Sequence, residues 1–331
     1  MVVASRIGSL GPILERHWDT SGVQTAVITG ANAGLGLECA RALLARDASW
    51  HVVLAVRDPG RGREAVQRLG QPARCTVMTA DLASLDSVRG FVAAYREAAL
   101  PPTRALVCNA GIQVVSGTHT TADGIELTFG VNHLGHFCLM QGLVDRLDPP
   151  ARIVVVSSDT HDPEKSTGMP APRYESAAAL TDPAPQPGES PLMLGRRRYT
   201  TSKLCNVLFA YELDRRLAQQ GRTGISVNAF NPGLMPGSGL ARDYSGMRRF
   251  AWRFVLPLMR VLPQVRSARV SGNHLAALAA DPAYDGISGR YFDGLETIES
   301  SADSHDLDKA RDLWEASERL TGPVDLRDTW K

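Results

Sequence analysis

An α/β fold built on one doubly wound, seven-stranded parallel sheet with helices on both faces is what this sequence predicts, on three observations. Short runs of β-branched and aliphatic residues alternate with longer stretches of helical period from Thr25 onward, the order expected of parallel strands joined by crossover helices. The first run breaks directly into Gly30, Gly34 and Gly36, reading TAVITGANAGLG, before a helical pattern opens at Leu35. Amide, hydroxyl and small residues then fall at the ends of later strands, where open α/β sheets bind their ligands.

The strands expected in order are 25–29, 51–56 (HVVLAV), 75–80, 105–108, 152–156, 225–230 and 290–292. Helical period separates them over 35–44, 61–69, 85–99, 124–147, a stretch opening at Tyr199, 264–280 and a charged closing helix over 306–320. One domain over 23–331 suits the length, with a leading arm over 1–22. That arm lacks a basic region followed by a long apolar core, so it does not read as a signal peptide. No apolar run of roughly 18 residues stands anywhere in the chain, and no transmembrane helix is expected. With net charge +1 and a pI near 7.7, nothing favours nucleic acid or an anionic membrane as partner. Five scattered cysteines (Cys39, Cys75, Cys108, Cys138, Cys205) form no C-x-x-C pair. They suit a reducing cytoplasm and neither a disulfide scaffold nor a zinc site.

The glycine turn is where dinucleotide chemistry enters. A strand that breaks into glycines and reopens as a helix aims backbone N–H groups and a helix N-terminus at one point, which suits a pyrophosphate. Gly30 permits the sharp turn, Gly34 lets the backbone approach the anion, and Gly36 lets helix and strand pack closely. These features make the domain Rossmann-type. The second strand ends at Val56 with Arg57 beside it, where NAD enzymes of this fold place an acidic residue. A guanidinium there suits the 2′-phosphate of NADP; the plainer alternative is a solvated surface arginine. Asp81, followed by Leu82, ends the third strand and can accept from the adenine amino group. Ala110 and Gly111, after Asn109, leave room for the cofactor beside the fourth.

Asn132 lies inside a helical stretch, where a buried amide needs polar partners. His133 and His136 share that helix. With no carboxylate, cysteine or third histidine at ligand spacing, they read as partly buried helix residues and not as metal ligands. Ser157 and Ser158 put hydroxyls at the carboxyl end of the fifth strand. Tyr199 and Lys203, at i and i+4, share one helix face. Of 36 basic residues only Lys165, Lys203, Lys309 and Lys331 are lysines, so a scarce lysine on the tyrosine's face points to a chemical role. Between Ser158 and Tyr199, residues 159–198 are dense in proline, glycine and polar residues. They read as a long excursion over the site or a partly disordered flap. After Pro232 and Gly233, residues 234–265 read as a small substrate lobe. Its core, MRRFAWRFVLPLMRVLP over 247–263, is aromatic and basic enough to lie on a membrane surface, although a substrate-covering role with the apolar side inward is favoured.

Taken in this order, the turn at 29–36, Asn109-Ala110-Gly111, Asn132, Ser158, Tyr199 with Lys203, and Pro232-Gly233 resemble the short-chain dehydrogenase/reductase family. HVVLAVRD, DLASLDSVRGFV, VNHLGHF, SKLCNVLFAYEL and LWEASERLTG are similar to its branch of retinol dehydrogenases and light-dependent protochlorophyllide reductases. Leu234 stands where the light-dependent enzymes usually carry cysteine, and a threonine common past the turn is missing. The long excursion before Tyr199 is closer to the light-dependent enzymes. The resemblance implies NADP(H) held by Gly30, Asn32, Gly34, Leu35, Gly36, Arg57, Asp81, Leu82, Asn109, Ala110, Gly111, Tyr199, Lys203, Pro232 and Gly233. It makes Tyr199 the proton donor, with Lys203 lowering the phenol's pKa and holding the nicotinamide ribose. Ser158 would bond the substrate oxygen and Asn132 anchor a water-linked proton path; Ser157, offset by one residue, would face away. The expected activity is NADPH-dependent hydride transfer to or from a bulky apolar carbonyl or alcohol, by a cytoplasmic monomer or homodimer. The rivals are light-driven reduction of a tetrapyrrole double bond and a non-catalytic NADP-binding regulator.

Overall fold

The computed structural model of the chain describes residues 22–235 and 265–322. The expected arm over 1–22, save Gly22, and the expected lobe over 234–265, save its ends, lie outside the described residues. Strands β1 (Gln24–Thr29), β2 (Trp50–Val56) and β3 (Cys75–Thr79) are joined by helices α1 (Gly34–Arg46) and α2 (Pro59–Leu69). Helix α3 (Leu85–Glu97) leads to β4 (Thr103–Cys108). Next come one turn, α4 (Leu127–Phe129), a π-helical segment (Gly130–Leu134), α5 (Gly135–Leu143) and β5 (Leu147–Val156). Helices α6 (Ala177–Thr181) and α7 (Pro191–Gln219) precede β6 (Ile225–Asn231). Helix α8 (Ala268–Ala280), strands β7 (Arg290–Asp293) and β8 (Glu296–Ile298), and α9 (Leu307–Thr321) complete the order.

The sheet runs β3-β2-β1-β4-β5-β6-β7-β8, with β1 to β7 all parallel. The chain order reverses between β1 and β4, which opens a crevice at their carboxyl ends. Alternation along each strand divides the core. Val27, Val53, Leu106 and Ile153 face one side and join the core beneath α3, α5, α7 and α9. Ala26, Ile28, Leu54, Val107 and Val154 face the other, beneath α1, α2 and α8.

Three elements depart from expectation. Among the described residues the sheet has eight strands, not seven: β8 folds back antiparallel on β7, with Asp293 opposite Glu296. Gly294 has φ +66°, as the first position of a two-residue hairpin turn allows. The helical stretch 124–147 is shorter and irregular. It starts after Glu126, whose carboxylate accepts from Phe129 N at 2.7 Å, and carries a π-helical segment around Asn132. Helix α7 begins two turns before Tyr199, at Pro191. Ser190 caps it, its Oγ accepting from Met193 N at 3.4 Å, and proline suits the first helical position because no intrahelical N–H is lost there. Tyr199 and Lys203 therefore sit inside a long helix and not at its opening.

That early start anchors the stretch 159–198. Three consecutive arginines on α7 bind its carbonyls: Arg196 donates to Gly168 O, Arg197 to Ala171 O at 3.0 Å, and Arg198 to Pro183 O at 2.9 Å and Ala184 O at 2.8 Å. From the other side, Asp312 on α9 accepts from Tyr174 Oη at 2.9 Å and from Ala177 N at 2.7 Å. Helix α9 is held in turn by Trp314, 1% exposed, whose ring meets Phe137 at 4.9 Å between centroids. Removing the Asp312 acceptor strands Ala177 N and leaves Tyr174 Oη only Lys309 O at 3.3 Å, so Asp312→Ala should cost about 1–3 kcal/mol in urea denaturation and speed proteolytic cleavage within 173–189. Unchanged cleavage would show that Asp312 does not hold the stretch.

Candidate active site

The site grows from the meeting of β1 and β4. Thr29, the last residue of β1, accepts at Oγ1 from Asn109 N at 2.8 Å and Ala110 N at 2.9 Å. Asn109 returns the contact, its Nδ2 donating to Thr29 O at 2.7 Å. The glycine turn lies directly on this junction. A Cβ on Gly36 would fall 2.6 Å from Asn109 Nδ2 and 2.8 Å from Gly30 O, so only glycine permits this approach. Gly34, with φ +56°, instead faces open space. Helix α1 starts after Ala33 with no side chain capping it, which leaves its first N–H groups for a ligand. Asn32 is half-buried beside it and Leu35 is buried in the core. These features fit the pyrophosphate of a dinucleotide.

On the far side of β1 lie the groups expected to read the adenosine. Arg57 is exposed at the end of β2, followed by Asp58, which caps α2 through Gly60 N at 2.8 Å. Asp81 is half-buried, its Oδ1 turned onto Ala83 N at 3.0 Å. Leu82 is buried against α5, where a Cβ on Gly135 would meet its carbonyl at 2.7 Å.

On the near side the structure brings Asn132, Lys203 and Gly111 together. A Cβ on Gly111 would stand 3.4 Å from Asn132 Oδ1 and 3.6 Å from Lys203 Nζ, so glycine there keeps the space open. Asn132, fully buried, accepts from Ile112 N at 2.8 Å and donates to Ile112 O at 3.0 Å and Ser202 Oγ at 2.9 Å. Lys203 Nζ donates to Val156 O, the end of β5, at 3.1 Å and lies 5.6 Å from the centre of the Tyr199 ring. Ser157 Oγ donates to Lys203 O at 2.7 Å, so it binds the helix backbone. Ser158 Oγ donates to Asp159 Oδ1 at 3.0 Å and accepts from Thr160 N at 3.3 Å, which leaves one lone pair for a further partner. Pro232 is buried and accepts from Ser271 Oγ at 2.6 Å; Gly233 N donates to Asn231 Oδ1 at 3.0 Å.

The two histidines are fully buried, each 1% exposed, and not partly buried as expected. Burial drives the His133 pKa down to about 3 and the His136 pKa down to about 4. They part in direction: His133 Nε2 meets Ser317 Oγ on α9 at 2.9 Å, and His136 Nε2 meets Thr29 Oγ1 at 2.8 Å. Among the described residues no three His, Cys, Asp or Glu side chains are grouped to hold a metal, and no helix is long and apolar enough to cross a membrane. Thr29, His136 and Ser202 belong to the site's framework although sequence reasoning gave them no role. For Thr29 and His136 the signal was a polar residue beside an apolar run; Ser202, inside the polar run Thr200-Thr201-Ser202-Lys203, carried none.

Burial lowers the Lys203 pKa from 10.5 to about 8. The folded value lies below the ordinary one, so the unfolded chain binds more protons between pH 8 and pH 10.5 and stability rises with pH through that window. Lys203→Met should abolish this component of the rise. Urea denaturation of both proteins at several pH values reads it, and a difference between them that does not vary with pH would rule out the desolvated lysine.

Residues 24–170 match the family described as short chain dehydrogenase. The chain is 38% identical over 307 residues to the WW domain-containing oxidoreductase of Gallus gallus, covering 91% of this chain and 69% of that protein. To the chloroplastic Protochlorophyllide reductase A of Arabidopsis thaliana it is 36% identical over 318 residues, covering 89% and 76% respectively. A solved structure of an uncharacterized protein from Mycobacterium Paratuberculosis superposes with a TM-score of 0.64 at 30% identity, over 92% of this chain and 97% of that one. Similarity of this extent, over a sheet and glycine turn of this form, means that the chain belongs to the short-chain dehydrogenase/reductase family of oxidoreductases.

Proposed function

We propose that the protein is an NADPH-dependent oxidoreductase acting on the carbonyl or alcohol group of a bulky apolar substrate of retinoid, steroid, quinone or polyketide-ketone type. The observation that carries this is the Tyr199 ring beside a buried Lys203 ammonium that is fastened to the end of β5. Nicotinamide, when bound, supplies or takes the hydride. Gly30, Asn32, Gly34, Leu35, Gly36, Asn109, Ala110, Pro232 and Gly233 would hold the dinucleotide, with Arg57 on its 2′-phosphate and Asp81 and Leu82 near the adenine.

Tyr199 gives a proton to the substrate oxygen during reduction and takes it back during oxidation. A free phenol titrates near pH 10, and the Lys203 charge stabilises the phenolate left behind. With its pKa near 8, Lys203 keeps most of that charge at neutral pH. Ser158 Oγ, whose proton lies on Asp159 Oδ1, can accept from the hydroxyl of an alcohol substrate, and it bonds a carbonyl oxygen once that proton turns from Asp159 to the substrate. Asn132, pinned between β4's loop and α7, would hold the path that returns the proton. The five buried free cysteines suit a reducing compartment, so we place the protein in the cytoplasm, as a monomer or homodimer.

Light-driven reduction of a tetrapyrrole double bond is the second reading, favoured by similarity to the protochlorophyllide reductases. Leu234, after the Pro232-Gly233 turn, offers no thiol for such a step. A non-catalytic NADP-binding regulator would have no use for Tyr199 beside a buried cation. Following NADPH oxidation across quinones, retinoids, steroids and polyketide ketones tests the proposal. Turnover only under illumination with a tetrapyrrole would transfer it to the second reading.

Two variants sharpen the assignment. A charge-assisted hydrogen bond contributes about 1.5–3 kcal/mol, so Arg57→Ala should weaken NADPH binding roughly 10- to 100-fold while NADH binding hardly changes. Equal losses for both cofactors would make Arg57 structural. General acid catalysis contributes about 10²- to 10⁴-fold; Tyr199→Phe should lower kcat by that factor and still bind NADPH. Lys203→Arg should remain impaired, because the planar head group differs in shape and reach. Near-normal turnover by Tyr199→Phe would overturn the mechanism.

A further inference from the structure

We propose that His136 is a positioning residue that couples the dinucleotide turn to Asn132, in one defined tautomer. The inference rests on the dinucleotide reading above and concerns a histidine that reading does not use.

Thr29 Oγ1 already accepts from Asn109 N and Ala110 N, which occupies both lone pairs of the hydroxyl. Its single proton has to go elsewhere. His136 Nε2 stands 2.8 Å away and Val107 O 3.3 Å away, so the imidazole nitrogen is the better acceptor. At the other end of the ring, His136 Nδ1 lies 3.1 Å from the carbonyl oxygen of Asn132. A carbonyl only accepts, so Nδ1 carries the proton. A neutral imidazole has one donor and one acceptor, and the two contacts together demand the Nδ1–H form.

A ring filling space in the core would not need both nitrogens satisfied. His133, one turn earlier on the same helix and equally buried, has a partner only at Nε2, and its Nδ1 has none among the described residues. Asn132 lies in the π-helical segment, where the hydrogen-bond pattern shifts from i+4 to i+5. The group His136 holds is itself clamped, through the Asn132 side chain, to Ile112 and to Ser202 on α7. A continuous chain of hydrogen bonds thus runs from the end of β1 through Thr29, His136 and Asn132 to the helix that carries Tyr199 and Lys203. Dinucleotide contact at the turn and placement of Asn132 are thereby joined.

Nitrogen-15 NMR of the ligand-free protein reads the tautomer directly. We expect a bare Nε2 and a protonated Nδ1 for His136, and an Nε2–H tautomer would overturn the proposal. Three substitutions separate the arms. His136→Gln places an amide oxygen near the Nε2 position and keeps an acceptor for Thr29. His136→Asn keeps a donor near Nδ1 but does not reach Thr29, and His136→Phe keeps neither. Losing one hydrogen bond is worth roughly three- to tenfold in binding. The NADPH Kd, followed by nucleotide fluorescence, should rise by that factor for Asn and Phe and return toward wild type for Gln. In the Thr29→Val background the Gln and Asn variants should bind NADPH alike. A purely packing role would lower Tm and affinity in step and leave Gln and Asn equal, which would refute the coupling. If Phe fails to fold, the Gln–Asn comparison still decides. Absence of NADPH binding by the wild type would refute the dinucleotide reading and leave the tautomer result standing.

Discussion

Where β1 and β4 end side by side, the parallel sheet leaves a crevice with nothing in its own ladder to close it. Thr29 Oγ1 takes the amides of Asn109 and Ala110, and the Asn109 side chain takes the carbonyl of Thr29. These short bonds join two strands that are distant in sequence, at the point where the glycine turn departs. Everything proposed for cofactor contact depends on that closure. Gly36 can rest on Asn109 only because the strand ends are held, and Gly111 is thereby carried to Asn132 and Lys203. Buried polar networks of this kind are costly when half satisfied and rigid when complete; here each member named has its partner.

A second constraint is the buried ammonium of Lys203. Taking a cation out of water is expensive, and among the described residues no carboxylate pairs with it to repay that cost. The Val156 carbonyl does so in part, although it also accepts from Asn206 Nδ2 at 3.0 Å. The Tyr199 ring adds its face within cation–π range. The remaining cost surfaces as a depressed pKa. A charge kept under such strain is poised for an anion that forms during reaction, which is why its neighbour is read as the proton donor.

The position of α7 also depends on parts remote in sequence. Its first turns are anchored by arginine contacts to the carbonyls of 168–184, and its middle packs against α9 through Phe209 and Trp314, whose rings lie 6.2 Å apart. Long side chains that bind carbonyls across a stretch of polar backbone supply the hydrogen bonds that a sheet or helix would otherwise give it. That is how a proline-rich segment whose one short helix is α6 acquires a defined place.

The sequence by itself determined the fold class, the glycine turn and the spacing of Tyr199 and Lys203, because these are local: period, turn chemistry and helix geometry act over a few residues. It also singled out Asn132, since an amide in an apolar helical stretch asks for partners. It did not determine that α7 begins at Pro191, because a proline-rich approach resembles a loop until tertiary contacts hold it as a helix. Nor did it show the π-helical segment, β8 or the orientation of either histidine. His133 and His136 are alike in sequence; the packing of α9 on one side and of Thr29 on the other sends them to opposite tasks. Which hydroxyl is committed and which carbonyl is free depends on what lies across the crevice, and only the folded chain decides that.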